Sequence, residues 1–189
     1  MKSETRKDEI INTAAKLFKD KGYSAVTMRD LATAMGIKAA SLYNHINSKQ
    51  DILKEIIIDI AEAFTNGMSI IIASEVSNIS KLKQVVALHV NITASNTNGM
   101  ASLNNDWMHL EDQLDYYLKL RNEYENNFLK IIEEGISTAE IKQTNAEVIM
   151  FSMLSTLRSL YLWIPKKEDL NADDLANNLS EVLIEGINV

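Results

Sequence analysis

An all-α fold of about nine helices is predicted from three features of the sequence. The chain holds one proline and six glycines in 189 residues, so few positions oppose a helix. Apolar residues recur at three- and four-residue spacing along most of its length, while long alternating β-branched runs are scarce. Several of these runs open on Ser, Thr or Asn with an acid three residues later, the pattern of a capping box. No internal repeat or low-complexity tract interrupts the series.

The first helix, about Glu4 to Lys21, places Ile10, Ile11, Ala14, Leu17 and Phe18 on one face and ends at Gly22. Thr27, answered by Asp30, caps a second helix with Met28, Leu31, Ala32 and Met35 on its buried side. Gly36 permits a sharp exit and Ile37 plugs the corner. A third helix, about Lys38 to Ile46, opens on the small residues Ala39, Ala40 and Ser41 and carries Tyr43, Asn44 and His45 behind them. Ser48 and Asp51 start a long helix from Lys49 to about Glu75. Ser80 opens the next, to about Ser95, with Leu82, Val85, Val86, His89, Val90 and Ile92 as its apolar side. Asn96 to Asp106 is polar and reads as short helices or a loop. Another long helix spans Glu111 to Glu134 and is expected to stop at Gly135. Thr144 with Glu147 caps a very apolar helix running to Ile164, where Pro165 forbids continuation. Asn171 with Asp174 caps the last, which carries Leu175, Leu179, Val182, Leu183 and Ile187.

The second and third helices have the helix-turn-helix layout, whose second member enters the DNA major groove. On that reading Lys38, Ala39, Ala40, Ser41, Tyr43, Asn44 and His45 face the groove. Thr27 and Arg29 at the start of the second helix, and Lys49 at the start of the fourth, meet phosphates. Tyr43 and His45 reach the backbone, whereas Lys38, Ser41 and Asn44 are placed to read bases. The net charge of −7 runs against this when taken whole. Its distribution does not, because residues 1–50 hold nine Lys/Arg against five acids and the remainder is strongly acidic. A basic head meets phosphates while an acidic body stays off them.

These residues carry a resemblance to the DNA-binding domain of tetracycline-repressor-type (TetR family) transcriptional regulators. It runs through Ile10, Ala14, Ala15, Leu17 and Phe18, Gly22-Tyr23, Thr27, Leu31-Ala32, Gly36-Ile37, Leu42-Tyr43, His45, Ser48-Lys49 and Leu53. Two positions depart from the family pattern: Ile46 stands where Phe is usual, and Lys38 where a Ser cap is common. The resemblance implies residues 1–48 as a three-helix DNA-binding domain and 49–189 as a helical effector-binding and dimerisation domain. It also implies double-stranded palindromic operator DNA, a second copy of the chain and a small-molecule effector as partners. The C-terminal half is faintly similar to members that control fatty-acid or steroid breakdown, which points to a mostly apolar, acyl-CoA-like effector.

Residues 148–164 are apolar on nearly every side, and such a helix must be buried all round. A two-fold dimer through the last two helices would bury it, with Phe151, Leu154, Leu160 or Trp163 at the contact. Between head and dimer helices, aromatic and soft side chains gather: Phe64, Met68, His89, Trp107, His109, Tyr117, Tyr124, Phe128, Met150, Met153, Leu154 and Leu157. Each of these reads as ordinary core or as pocket wall. A dimeric DNA-binding protein without an effector therefore stays open as an alternative.

His89 and His109 with Asp106, Glu111 and Asp112 raise the question of a metal, but only Asp106 and His109 lie one helical turn apart, so none is expected, nor any other cofactor. Arg158, a lone cation in an apolar helix, reads as an anchor for an acidic ligand or as a partner of Glu181 or Glu185. There is no cysteine, no glycine-rich phosphate loop and no recognisable nucleophile motif, so an enzyme is not expected. The start of the chain has no apolar leader, and Lys54, Glu55, Asp59 and Glu62 interrupt the greasiest stretch. A cytoplasmic protein without a membrane partner is the expectation.

Overall fold

The computed structural model describes residues 5–167 and 169–185, and among these every regular element is helical. The α-helices are α1 (Arg6–Lys21), α2 (Met28–Ala34), α3 (Ala39–Leu42), α4 (Lys49–Ala73), α5 (Asn78–Ser95), α6 (Thr97–Asn105), α7 (Leu114–Ser137), α8 (Ala146–Arg158), α9 (Leu160–Trp163) and α10 (Ala172–Glu185). Two of them, α3 and α9, are single turns of four residues. Short 3₁₀ turns at Tyr23–Ala25, Trp107–His109, Glu111–Gln113 and Ile164–Lys166 fill the joints. Glu4 and Ile187, at the ends of the expected first and last helices, lie outside the described residues.

The chain falls into two compact units. The first runs to Ala61 and takes in Asn98–Tyr117; the second holds Glu62–Thr97 and the chain from Leu118 onward. In the first, α1 packs on α2 and α2 on α3, around the fully buried Ile10, Leu42, Ile52, Leu53, Ile57 and Leu110. In the second, α5 is central, with α8, α9 and α10 against it and Met68, Leu82, Phe128, Ile131 and Leu157 in the core. By length and composition Lys49–Ala73 and Ala146–Lys166 would pass for membrane spans. Here part of each apolar surface goes into these cores, while Ile70, Val148, Phe151 and Leu162 stay exposed.

The caps explain most boundaries. Thr5 with Asp8 and Thr27 with Asp30 make reciprocal capping boxes at α1 and α2, each satisfying two otherwise orphaned backbone donors. Asn171 accepts from the amides of Asp173 and Asp174 at the head of α10, as the sequence predicts. Elsewhere the capping residue shifts. Ser77 rather than Ser80 opens α5, its hydroxyl accepting from the Ser80 amide at 3.2 Å. Asn145 rather than Thr144 opens α8, accepting from Val148 at 3.1 Å. Of the two readings of the polar stretch after Ser95, short helices or a loop, the structure has the first, as the nine-residue helix α6.

Two helix ends differ from expectation for identifiable reasons. Gly135 does not stop α7, which runs to Ser137 before Ala139 takes the left-handed conformation at φ 61°. Gly135 instead makes room, since a Cβ there would lie 2.6 Å from Ile141 Cδ1. The apolar helix expected to reach Ile164 breaks after Arg158. Ser155, Thr156 and Ser159 donate their hydroxyls to the carbonyls of Phe151, Ser152 and Ser155, four residues back. Such bonds compete with the helix ladder and bend it.

Two residues expected at a dimer contact, Leu154 and Leu160, are each only 4% exposed within the protomer. They belong to its own core. Phe151 and Val182, by contrast, are 72% and 74% exposed.

Candidate nucleic-acid interface and interior cluster

The helix-turn-helix sits in the first unit with its polar side open. Gly36, at φ 66°, makes the turn out of α2 in a conformation that side chains with a Cβ avoid. Leu42 and Ile46 are buried beneath α3, so the Ile found where the family usually has Phe is a working core residue. Lys38 occupies the N-cap of α3 without a side-chain bond. The helix closes after one turn, shorter than the sequence predicts, and Tyr43, Asn44 and His45 form a turn rather than a further helical stretch. An uncapped start and poor helix formers at its end account for this. Arg29, Lys38, Ala40, Tyr43, Asn44 and His45 are exposed, with Ala39 and Ser41 half-buried. Thr27 is exposed but spends its hydroxyl on the cap, bonding Asp30.

Lys49 is placed differently from a phosphate contact. Its ammonium donates to the carbonyls of Tyr23 at 2.9 Å and Val26 at 2.8 Å and lies 4.2 Å from the Tyr23 ring centroid. The lysine thus ties the start of α4 to the turn before α2. Lys49→Ala is expected to cost about 1–2 kcal/mol of stability through lost charge-assisted bonds. The slope of log affinity for DNA against log salt should hardly change, whereas Arg29→Ala should flatten it by about one. A Lys49→Ala protein of unchanged stability and flattened slope would return Lys49 to the phosphates.

The aromatic and soft residues predicted as one pocket wall divide between the units. Trp107, His109 and Tyr117 belong to the first. Trp107 stacks on Tyr117 with centroids 5.8 Å apart. His109 is exposed and stacks on Tyr23 at 5.3 Å, while its carbonyl accepts from Gln50. Tyr23 also donates its hydroxyl to Gln50 and meets Phe18 edge-on. His109 is therefore part of the exposed packing on Tyr23 in the first unit.

The others lie in the second unit. Phe64, His89 and Tyr124 pack ring on ring, with centroids 4.6 Å (Phe64–His89), 5.7 Å (Phe64–Tyr124) and 5.8 Å (His89–Tyr124) apart, and Phe128 follows Tyr124 at 6.4 Å. Met68, Met153, Leu154 and Leu157 are buried and Met150 is half-buried. His89 Nε2 is 2.8 Å from the Tyr124 hydroxyl. Burial, and then the positive charge of Arg158, push the His89 imidazole down to about 3, so it is uncharged. Burial raises the Tyr124 phenol well above its ordinary value.

Arg158 pairs with Glu125 of α7 rather than Glu181 or Glu185, and Arg121 Nε reaches the same carboxylate oxygen at 3.0 Å. Burial works to raise the Glu125 carboxyl, but the bonds from Arg158 and Arg121 outweigh it and hold the group below the usual range. No three His, Asp or Glu side chains converge as a metal site among the described residues. Sequence reasoning missed Glu125 as Arg158's partner. It also missed Thr93, a fully buried hydroxyl one turn beyond His89, which was legible as a second polar residue on the apolar stripe of α5.

Comparison with known proteins agrees with this geometry. Residues 10–56 match the model of the tetR family of bacterial regulatory proteins, and residues 75–187 match that of the tetracyclin repressor-like C-terminal domain. The chain is 23% identical to the HTH-type transcriptional repressor KstR2 of Rhodococcus jostii, over 96% of this chain and 91% of the relative. A 49-residue stretch, 26% of each chain, is 47% identical to the biofilm operon icaADBC HTH-type negative transcriptional regulator IcaR of Staphylococcus aureus. Among solved structures, the ketosteroid transcriptional regulator KstR2 of Mycobacterium tuberculosis superposes with a TM-score of 0.91 at 18% identity, over 100% of this chain and 97% of that one. PfmR of Thermus thermophilus gives 0.81 at 23%, over 96% and 100%. At these identities the solved structures speak for the fold alone.

Proposed function

The chain belongs to the tetR family of bacterial regulatory proteins, and we propose that it acts as a homodimeric repressor released from a palindromic operator by a mostly apolar effector. The observation that carries the operator half is the open face of the first unit, where Arg29, Lys38, Tyr43, Asn44 and His45 are exposed over a buried, capped scaffold. Residues 1–48 act as the DNA-binding head and 49–189 as the effector-binding and dimerisation body. In a dimer two such heads address half-sites ~34–36 Å apart. Arg29 takes a phosphate, and Lys38, Ser41 and Asn44 read bases. Selection from random duplex DNA followed by footprinting tests this: a protected palindrome supports it, and purely salt-driven, sequence-blind binding refutes it.

The effector half rests on the second unit and on α4. That helix is uninterrupted over 25 residues, a rod of ~37 Å at 1.5 Å per residue. Lys49, at its start, is tied to the turn before α2, and Phe64, in its second half, packs on His89. A tilt imposed near Phe64 is carried to the head. The effector we favour is fatty acyl-CoA-like, and the ketosteroid in the name of the Mycobacterium tuberculosis relative is likewise apolar. The second reading, a dimeric DNA-binding protein with no effector, is favoured by the ring-to-ring packing of Phe64, His89 and Tyr124, which reads as filled core.

Titration calorimetry with a long-chain acyl-CoA, with and without operator, separates the two. Coupling of ~1–3 kcal/mol should weaken acyl-CoA binding by about 5- to 150-fold when operator is bound, and operator binding by the same factor when acyl-CoA is bound. Equal affinity in both titrations removes the inducer role.

A further inference from the structure

Among the described residues of the second unit, two side-chain polar atoms are buried with no hydrogen-bond partner: His89 Nδ1 and Thr93 Oγ1. Their residues are 3% and 0% exposed. They stand four residues apart on α5, so they share one face of the helix. Buried polar groups are nearly always paired, and two orphans on one face ask for a common partner. We infer that His89 and Thr93 form the polar end of an effector site in the second unit, built for an apolar molecule that carries a neutral carbonyl oxygen.

The chemistry of the partner follows from hydrogen counting. If His89 Nε2 accepts the Tyr124 hydroxyl proton, Nδ1 carries the remaining hydrogen and is a donor. The opposite tautomer would strand the Tyr124 hydrogen as well, adding a third orphan. The first arrangement therefore stands, and it presents an N–H on the helix face that also carries the Thr93 hydroxyl, which can donate too. One carbonyl oxygen, with two lone pairs, accepts from both. A carboxylate is a poorer guest, because the imidazole stays uncharged in its buried setting. The nearby Arg158 is already bonded to Glu125. Phe64 and Tyr124 supply apolar walls against the imidazole. The buried Met68 and Met153 belong to the same unit and have flexible, polarisable side chains that repack readily around a guest.

This site rests on the effector half of the proposed function, and its test contains no DNA, so the two fail separately. The probes are 2-nonanone, 2-decalone and nonanoate, titrated into the purified full chain by calorimetry alongside thermal melts. At least one ketone should bind the natural protein, and more tightly than nonanoate. Thr93→Val keeps the shape and removes the hydroxyl. It should weaken the ketone about tenfold and melt no lower than the natural protein, since the hydroxyl it removes bonds to nothing. Thr93→Ser restores the hydroxyl and should bind the ketone within about threefold of the natural protein. The site is overturned if neither ketone binds, if nonanoate binds more tightly than both ketones, if Thr93→Val binds the ketone as well as the natural protein, if Thr93→Ser binds no better than Thr93→Val, or if Thr93→Val alone lowers the melting point. Ketone binding by a protein that shows no operator coupling would remove the inducer role and leave the site standing.

Discussion

Asp in place of Phe151 is expected to give folded monomers, whereas Asp in place of Leu160 is expected to give little folded protein. Both residues belong to the apolar 148–164 stretch, and the sequence alone does not tell them apart. In the protomer Phe151 is 72% exposed, and Val148, Leu162, Trp163 and Val182, also on the last helices, are exposed as well. A cleft lined by Thr156, Ser159, Leu160, Trp163, Leu175 and Leu179 opens between α8–α9 and α10. Exposed apolar side chains of this kind suit a protein contact, and the two-fold mate of the proposed dimer would cover them with its own copy of the same face. Each buried Phe contributes ~1.5–3 kcal/mol. Two copies of Phe151→Asp, each adding a desolvated carboxylate, should therefore weaken the dimer by on the order of 10³-fold or more. Operator affinity should fall with it, because a monomer engages one half-site. Analytical ultracentrifugation at micromolar concentration and far-UV circular dichroism decide the matter. A natural protein that sediments as a monomer, or a Phe151→Asp protein that stays dimeric, removes this interface. A folded, dimeric Leu160→Asp protein would contradict its burial at 4% exposure in the core.

The local order of the chain was legible because capping and periodicity act over a few residues. Thr27 with Asp30, Asn171 with Asp174 and the apolar side of α1 need no knowledge of the rest of the molecule to be read. Misreadings occurred where a tertiary neighbour decides. Gly135 looks like a helix stop until Ile141 is seen to need the space its missing side chain leaves. Ser77 and Ser80 are equally good caps in sequence, and their side chains meet in the structure, but only Ser77 accepts the amide at the head of α5.

The candidate sites divide in the same way. The helix-turn-helix is a local motif, and its exposed face follows from the helical register that buries Leu31, Ala32 and Leu42. An interior cluster is a long-range object, assembled from α4, α5 and α7. Composition could gather its aromatic members but could not sort Trp107, His109 and Tyr117 into a different unit. Nor could it foresee that Arg158 spends its charge on Glu125, 33 residues away along the chain. A long flexible cation reaches whichever carboxylate the packing brings near, and periodicity does not encode that choice.

The same burial that keeps His89 neutral should make the protein acid-sensitive in a way that one substitution can isolate. Free in the unfolded chain, the imidazole takes up a proton near pH 6.5, whereas in the folded protein it resists until about pH 3. Between those values the unfolded state binds more protons, so stability rises with pH across the window and is lost as pH falls through it. Above pH 6.5 the residue is uncharged in both states and this dependence vanishes. The loss is about 1.4 kcal/mol for each pH unit, or ~3 kcal/mol by pH 4.5. That is a large share of the ~5–15 kcal/mol that holds a domain folded. Paired carboxylates such as Glu125, held below the usual range, also lose stability in acid, so the total slope is not diagnostic. The difference between variants is. His89→Gln keeps an amide able to bond the Tyr124 hydroxyl but has no proton to take up. Urea denaturation of both proteins at fixed concentration, at pH 7.5 and pH 4.5, should find the natural protein losing ~3 kcal/mol more than the variant. Parallel losses would mean that the imidazole is charged inside the fold, in contact with water or a carboxylate, and the packing of Phe64 and Tyr124 around it would have to open to allow that.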